Sequence, residues 1–109
     1  MLEKKWVEII SERLYSSEHT NTVLEIIRHV WSGRCPETGK KINAELYVNK
    51  DLELDWSIHL IREQGDGPPR KTFIGSSIGQ MFSNLGLVHH SVWKQEGVVN
   101  EIKQKEISA

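Results

Sequence analysis

The stretch that decides the fold is Ile42-Asn43-Ala44-Glu45-Leu46-Tyr47-Val48-Asn49-Lys50-Asp51-Leu52-Glu53-Leu54-Asp55-Trp56-Ser57-Ile58-His59-Leu60. Ile42, Ala44, Leu46 and Val48 alternate with Asn43, Glu45 and Tyr47. Leu52, Leu54, Trp56, Ile58 and Leu60 alternate with Glu53, Asp55, Ser57 and His59. A period of two marks a half-buried strand. A three-residue hairpin loop, Asn49-Lys50-Asp51, pairs Val48 with Leu52, Leu46 with Leu54, Ala44 with Trp56 and Ile42 with Ile58. Every apolar side chain then lands on one face, which a one-residue slip would undo.

Upstream, the period lengthens. Leu2, Trp6, Ile9, Ile10 and Leu14 recur at spacings of three and four, with Glu3, Lys4, Lys5, Glu12 and Arg13 between them, so residues 2–15 read as an amphipathic helix. Thr22 followed by Glu25 matches a capping box. A second helix carries Val23, Ile26, Ile27, Val30 and Trp31 on one stripe and stops at Gly33. The two segments read as a helical hairpin.

Downstream, Gly65-Asp66-Gly67-Pro68-Pro69 is a turn-rich connection, and Arg70 to Ile74 reads as a short third strand. Ser77 with Gln80 forms a further capping box before a helix over Ile78–Asn84. Leu85-Gly86-Leu87 leads to another helix over Val88–Glu96, ended by Gly97, while residues 98–107 fit neither period. The expectation is one α+β domain over residues 1–109. It comprises an N-terminal helical hairpin, a small antiparallel sheet of two to three strands, and C-terminal helices packed on one sheet face.

Composition narrows the function classes. The chain has 109 residues, with 14 Lys and Arg against 15 Asp and Glu, a net charge of -1 and a single cysteine. One domain fits that length. The balance excludes a strongly basic nucleic-acid binder, and one cysteine excludes an intrachain disulfide framework. Met-Leu-Glu-Lys-Lys-Trp is not followed by the apolar run of a secretory leader, and no stretch approaches the roughly 20 apolar residues of a membrane span. The expectation is a cytoplasmic protein with no membrane partner.

Four groups of residues invite a chemical reading. Glu45, Tyr47, Glu53, Asp55 and His59 project from the outer face of the hairpin beside Asn43 and Ser57, with Glu45 opposite Asp55. Like charges at that spacing destabilise a pair unless solvated or matched by a cationic partner, so this acidic face reads either as a plain solvated face or, if functional, as a docking surface for a protein rather than a metal site. Residues 78–96, aligned on Gly86, resemble a helix-turn-helix that would present His89, His90, Ser91 and Lys94 to DNA. Phe82 and Gln95 depart from that motif, and Lys94 is a thin phosphate anchor. Phe73-Ile74-Gly75-Ser76-Ser77 leads into a helix N-terminus, where free amides attract an anion, with Arg70, Lys71, Ser76 and Ser77 at hand. Asp55, Ser57 and His59 contain the residue types of a hydrolase triad. Residues two apart on a strand stand about 6.6 Å apart, which argues against proton transfer between them.

Cys35-Pro36-Glu37-Thr38-Gly39-Lys40 looks like half a zinc knuckle without its second cysteine, and adjacent His89 and His90 diverge too far on a helix to share an ion. No catalytic residues, metal or cofactor are assigned. The leading expectation is a small non-catalytic protein-interaction or regulatory module that docks on a macromolecular partner, a homodimer being one form. The alternatives are a DNA-binding protein using residues 78–96 and a small enzyme or anionic-ligand binder at the 73–80 turn.

Overall fold

Strand alternation governs two more segments than the sequence reading assigned. The computed structural model describes residues 4–31 and 41–102. They form an α+β fold built from β1 (Lys5–Leu14), α1 (Thr20–Val30), β2 (Asn43–Val48), β3 (Asp55–Glu63), α2 (Phe73–Phe82) and β4 (Gly86–Lys94). The four strands make one sheet in the order β2-β3-β1-β4, antiparallel throughout. β1 and β2 therefore run parallel with β3 between them, and β3 and β4 run parallel with β1 between them. Each half is a split β-α-β unit. Right-handed crossovers in two such units carry both helices to the same side of the sheet.

The packing shows that one-sided arrangement. The core consists of Ile10 and Leu14 from β1, Ile58 and Leu60 from β3, Val23 from α1, Ile74, Ile78 and Phe82 from α2, and Ile42 ahead of β2. Along β1 the buried residues are Trp6, Glu8, Ile10, Glu12 and Leu14, with Val7, Ile9 and Ser11 only half-buried between them.

Several expectations are corrected. The N-terminal helical hairpin does not exist, because residues 5–14 are the central strand. The second C-terminal helix does not exist either: residues 86–94 are β4, so the helix-turn-helix lacks its recognition helix. The misreading of β1 has a physical cause. Glu8 and Glu12 occupy inward positions, so most of the remaining apolar residues, Trp6, Ile9, Ile10 and Leu14 but not Val7, fall at helical spacing. Gly86, taken as a turn glycine, instead sits where β4 closes on β1, and a Cβ there would collide with the Arg13 carbonyl. The third strand over Arg70–Ile74 is also absent, since α2 begins at Phe73.

The hairpin forms, in a different register. Val48 pairs with Trp56, Leu46 with Ile58 and Ala44 with Leu60, each four residues beyond its expected partner. An even shift leaves every side chain on its expected face, so alternation alone could not detect it. The longer loop is held by Asn49, whose Oδ1 accepts from the amides of Asp51 and Leu52, each at 2.9 Å. Glu53 consequently lies in the loop, and Glu45 faces His59 rather than Asp55.

Helix boundaries shift as well. α1 starts at Thr20 with His19 as its N-cap, so Thr22 lies inside the first turn. α2 is capped by Thr72, whose hydroxyl accepts from the Gly75 amide at 3.2 Å, and Ser76 and Ser77 lie within the helix. The Gly33 stop and the Cys35–Lys40 segment lie outside the described residues. Among the described residues no helix is long and apolar enough to cross a membrane.

Candidate functional site

The two faces of the sheet carry different chemistry. On the helix-covered face, a buried carboxylate from β1 meets the start of α2. Glu8 is fully buried. Its Oε2 accepts the Thr72 amide at 2.8 Å and its Oε1 accepts the Thr72 hydroxyl at 2.6 Å. His90 Nε2 of β4 lies 2.5 Å from Oε2, and Arg62 Nη2 of β3 lies 3.6 Å from Oε1. The Trp6 ring packs against the guanidinium groups of Arg62 and Arg70, 5.6 and 6.0 Å from its centroid. Gly75 leaves room for this carboxylate, because a Cβ there would overlap it.

This cluster answers the anion-site expectation in an unexpected way. The N-terminus of α2 is filled from within the chain, by the Glu8 side chain. Arg70 donates to the carbonyls of Asp66 and Pro68 at 3.3 and 3.1 Å, and Lys71 is exposed. Ser77 donates to the Phe73 carbonyl at 2.8 Å. Of the four residues singled out for DNA, His90 belongs to the Glu8 cluster under the helices. His89 and Ser91 lie on the opposite face of β4, and Lys94 ends the strand exposed.

Glu12 lies on the covered face too, between Trp56 of β3 and Val88 of β4. It is 3% exposed, and neither carboxylate oxygen has a hydrogen-bond partner among the described residues. Burial pushes its carboxyl up to about 7, because the charged form loses its hydration.

Neither α1 nor α2 packs on the other face of the sheet. Successive strands set its side chains in rows. Tyr47, Ser57, Ser11 and His89 form one row across β2, β3, β1 and β4; Glu45, His59, Ile9 and Ser91 form the next. Two serines at the centre, flanked by larger edge residues, leave a broad depression of about 560 Å³ that also reaches Arg13, Asp55 and Leu87. Arg13 holds Asp55 through two hydrogen bonds, Nε to Oδ1 at 2.7 Å and Nη2 to Oδ2 at 2.9 Å. That bond keeps the Asp55 carboxyl below, and the Arg13 guanidinium above, its ordinary value. Tyr47 donates to Glu45 Oε1 at 3.0 Å, which raises the phenol above its usual range. Leu87, Trp93 and Tyr47 are the large exposed apolar side chains here, at 63%, 60% and 49% exposure. The Trp93 indole donates to Ser91 at 2.9 Å.

Ser57 Oγ and His59 Nε2 do meet, at 3.1 Å, with the Tyr47 ring 4.7 Å from the imidazole. The backbone spacing did not forbid the contact, because the imidazole is long enough to fold back along the strand. Asp55, the third member of the imagined triad, is instead turned to Arg13. Of the acidic-face residues, Glu45, Tyr47, Asp55 and His59 share the face opposite α1 and α2, and Glu53 does not. The sequence reading missed Glu8, Glu12, Arg13, Leu87 and Trp93, all on strands read as helices. Their β-branched and aromatic neighbours, Trp6-Val7 and Ile9-Ile10 in β1 and Leu87-Val88 and Val92-Trp93 in β4, carried a strand signal. Among the described residues no three His, Cys, Asp or Glu are placed to hold a metal ion. Compared with known proteins, the chain matches no family model, no curated protein and no solved structure.

Proposed function

We propose that this protein is a non-catalytic docking module that engages a protein partner through the uncovered face of its sheet. One observation carries the reading. α1 and α2 pack on one side, and the other side leaves Trp93, Leu87 and Tyr47 exposed around half-buried Val7, Ile9 and Ile61. Antiparallel sheets do present a face to water, but such faces are normally polar. Exposed Trp93 and Tyr47 are residue types that commonly anchor protein interfaces.

The chemistry of the Ser57–His59 pair supports binding over acyl transfer. β3 is flanked on both sides, so its amides are committed to the ladders with β1 and β2. An oxyanion hole needs free donors aimed at the developing charge. The acidic character also differs from the sequence expectation. Asp55 is neutralised by Arg13, so apolar contact, with Glu45 at the β2 edge, is the dominant feature of the face.

The test compares the wild type with Trp93→Glu and Leu87→Glu on the open face and Glu25→Lys on α1. Docking through the sheet requires that both open-face substitutions abolish binding to a protein partner while Glu25→Lys leaves it intact. Equal loss in all three, or retention in all three, overturns the reading.

A further inference from the structure

We infer that the uncovered sheet face is self-complementary and that its partner is a second copy of this chain, stacked face to face about a two-fold axis parallel to the strands. The inference rests on the docking reading above and names its occupant. The strand register supplies the argument. On this face β1 carries Lys5 and Arg13 at its two ends, and β3 carries Glu63 and Asp55 opposite them. β1 is thus the positive strand and β3 the negative one. An axis running between the two central strands lays β1 of one copy over β3 of the other. Arg13, still bonded to its own Asp55, then faces the second copy's Asp55, so the two ion pairs stack with opposed dipoles, and Lys5 faces the second copy's Glu63.

The uncharged residues match under the same operation. Val7 meets Ile61, Ile9 meets His59, Tyr47 comes over His89 in the opposite depression, and Trp93 covers Asn43. An axis perpendicular to the strands would instead set Arg13 against Lys5 and Asp55 against Glu63, and repulsion disfavours it. Area is adequate. Four strands about 4.8 Å apart and about 30 Å long give a face of roughly 550 Å² in projection. Two copies, with side-chain relief, therefore reach the lower part of the range of about 1,200–2,000 Å² typical of stable complexes.

The test uses charge reversal read by sedimentation velocity from 1 to 200 μM. Wild type is expected to dimerise. Arg13→Asp alone and Asp55→Arg alone should each weaken dimerisation about tenfold or more, because like charges then face each other across the axis. Mixing the two single variants should restore a heterodimer, which repair of the contact within one chain cannot explain. Lys5→Glu and Glu63→Lys, at exposed positions, repeat the test should the first pair disturb folding, which circular dichroism reports. A wild type that stays monomeric at 200 μM, a dimer indifferent to the reversals, or no association on mixing overturns the second copy as occupant. The docking reading is judged separately, by whether Trp93→Glu abolishes binding to another protein.

Discussion

Replacing Glu12 by glutamine should stabilise the protein in a strongly pH-dependent way. Glu12 is 3% exposed between Trp56 and Val88, with no hydrogen-bond partner among the described residues for either oxygen. Its carboxyl is raised from 4.5 to about 7 by desolvation. The folded protein therefore holds a proton that the unfolded chain has lost, and stability falls as pH rises between those two values. At about 1.4 kcal/mol per unit, the loss reaches about 3.5 kcal/mol above pH 7 and vanishes below about pH 4.5. Glutamine is isosteric and cannot ionise. Urea unfolding of both proteins from pH 4.5 to 8.5 isolates the effect, since every other group titrates alike in each. The difference in unfolding free energy should grow in favour of Glu12→Gln across that window and level off beyond pH 7. A constant difference would mean that Glu12 ionises normally, and the reasoning from its burial would be wrong.

Three further outcomes follow from the geometry. Glu8→Gln leaves Arg62 buried without its carboxylate and should cost about 3–5 kcal/mol, read by urea unfolding at pH 7. Gly75→Ala places a Cβ on the Glu8 carboxylate, so it should destabilise by roughly 3 kcal/mol; pairing it with Glu8→Ala should recover part of the loss, because the obstructing group is gone. Asp55, held below its ordinary value by Arg13, contributes stability that is present above about pH 4 and lost as pH falls through its depressed folded value. Asp55→Asn should remove that part of the acid limb, measured by thermal unfolding between pH 2 and 5.

The sequence made some of this legible, for reasons that particular residues explain. The alternation over residues 42–60 placed β2 and β3 and assigned every side chain there to its face. It could not choose between registers differing by an even number, so Glu45 was set opposite Asp55 rather than His59. β1 was lost because two glutamates occupy core-facing positions. A carboxylate at such a site breaks the period-two pattern, and the tertiary contacts that stabilise Glu8 come from Thr72, Arg62 and His90, far away in sequence. β4 was lost because Gly86 and the His89–His90 pair fit a turn-and-helix reading equally well. The proposed docking face therefore emerged only in part: Glu45, Tyr47, Asp55 and His59 were visible, whereas Arg13, Leu87 and Trp93 needed the sheet to be assembled.

The most direct measurement is hydroxyl-radical footprinting with residue-resolved mass spectrometry at 1 and 200 μM protein. Trp93 and Leu87 lie on the open face, whereas Phe73, 68% exposed at the start of α2, lies on the helix side. Association through the sheet face predicts that Trp93 and Leu87 become protected as concentration rises while Phe73 does not change. Protection of Phe73 with Trp93 unaltered, or no protection at either concentration, would contradict it.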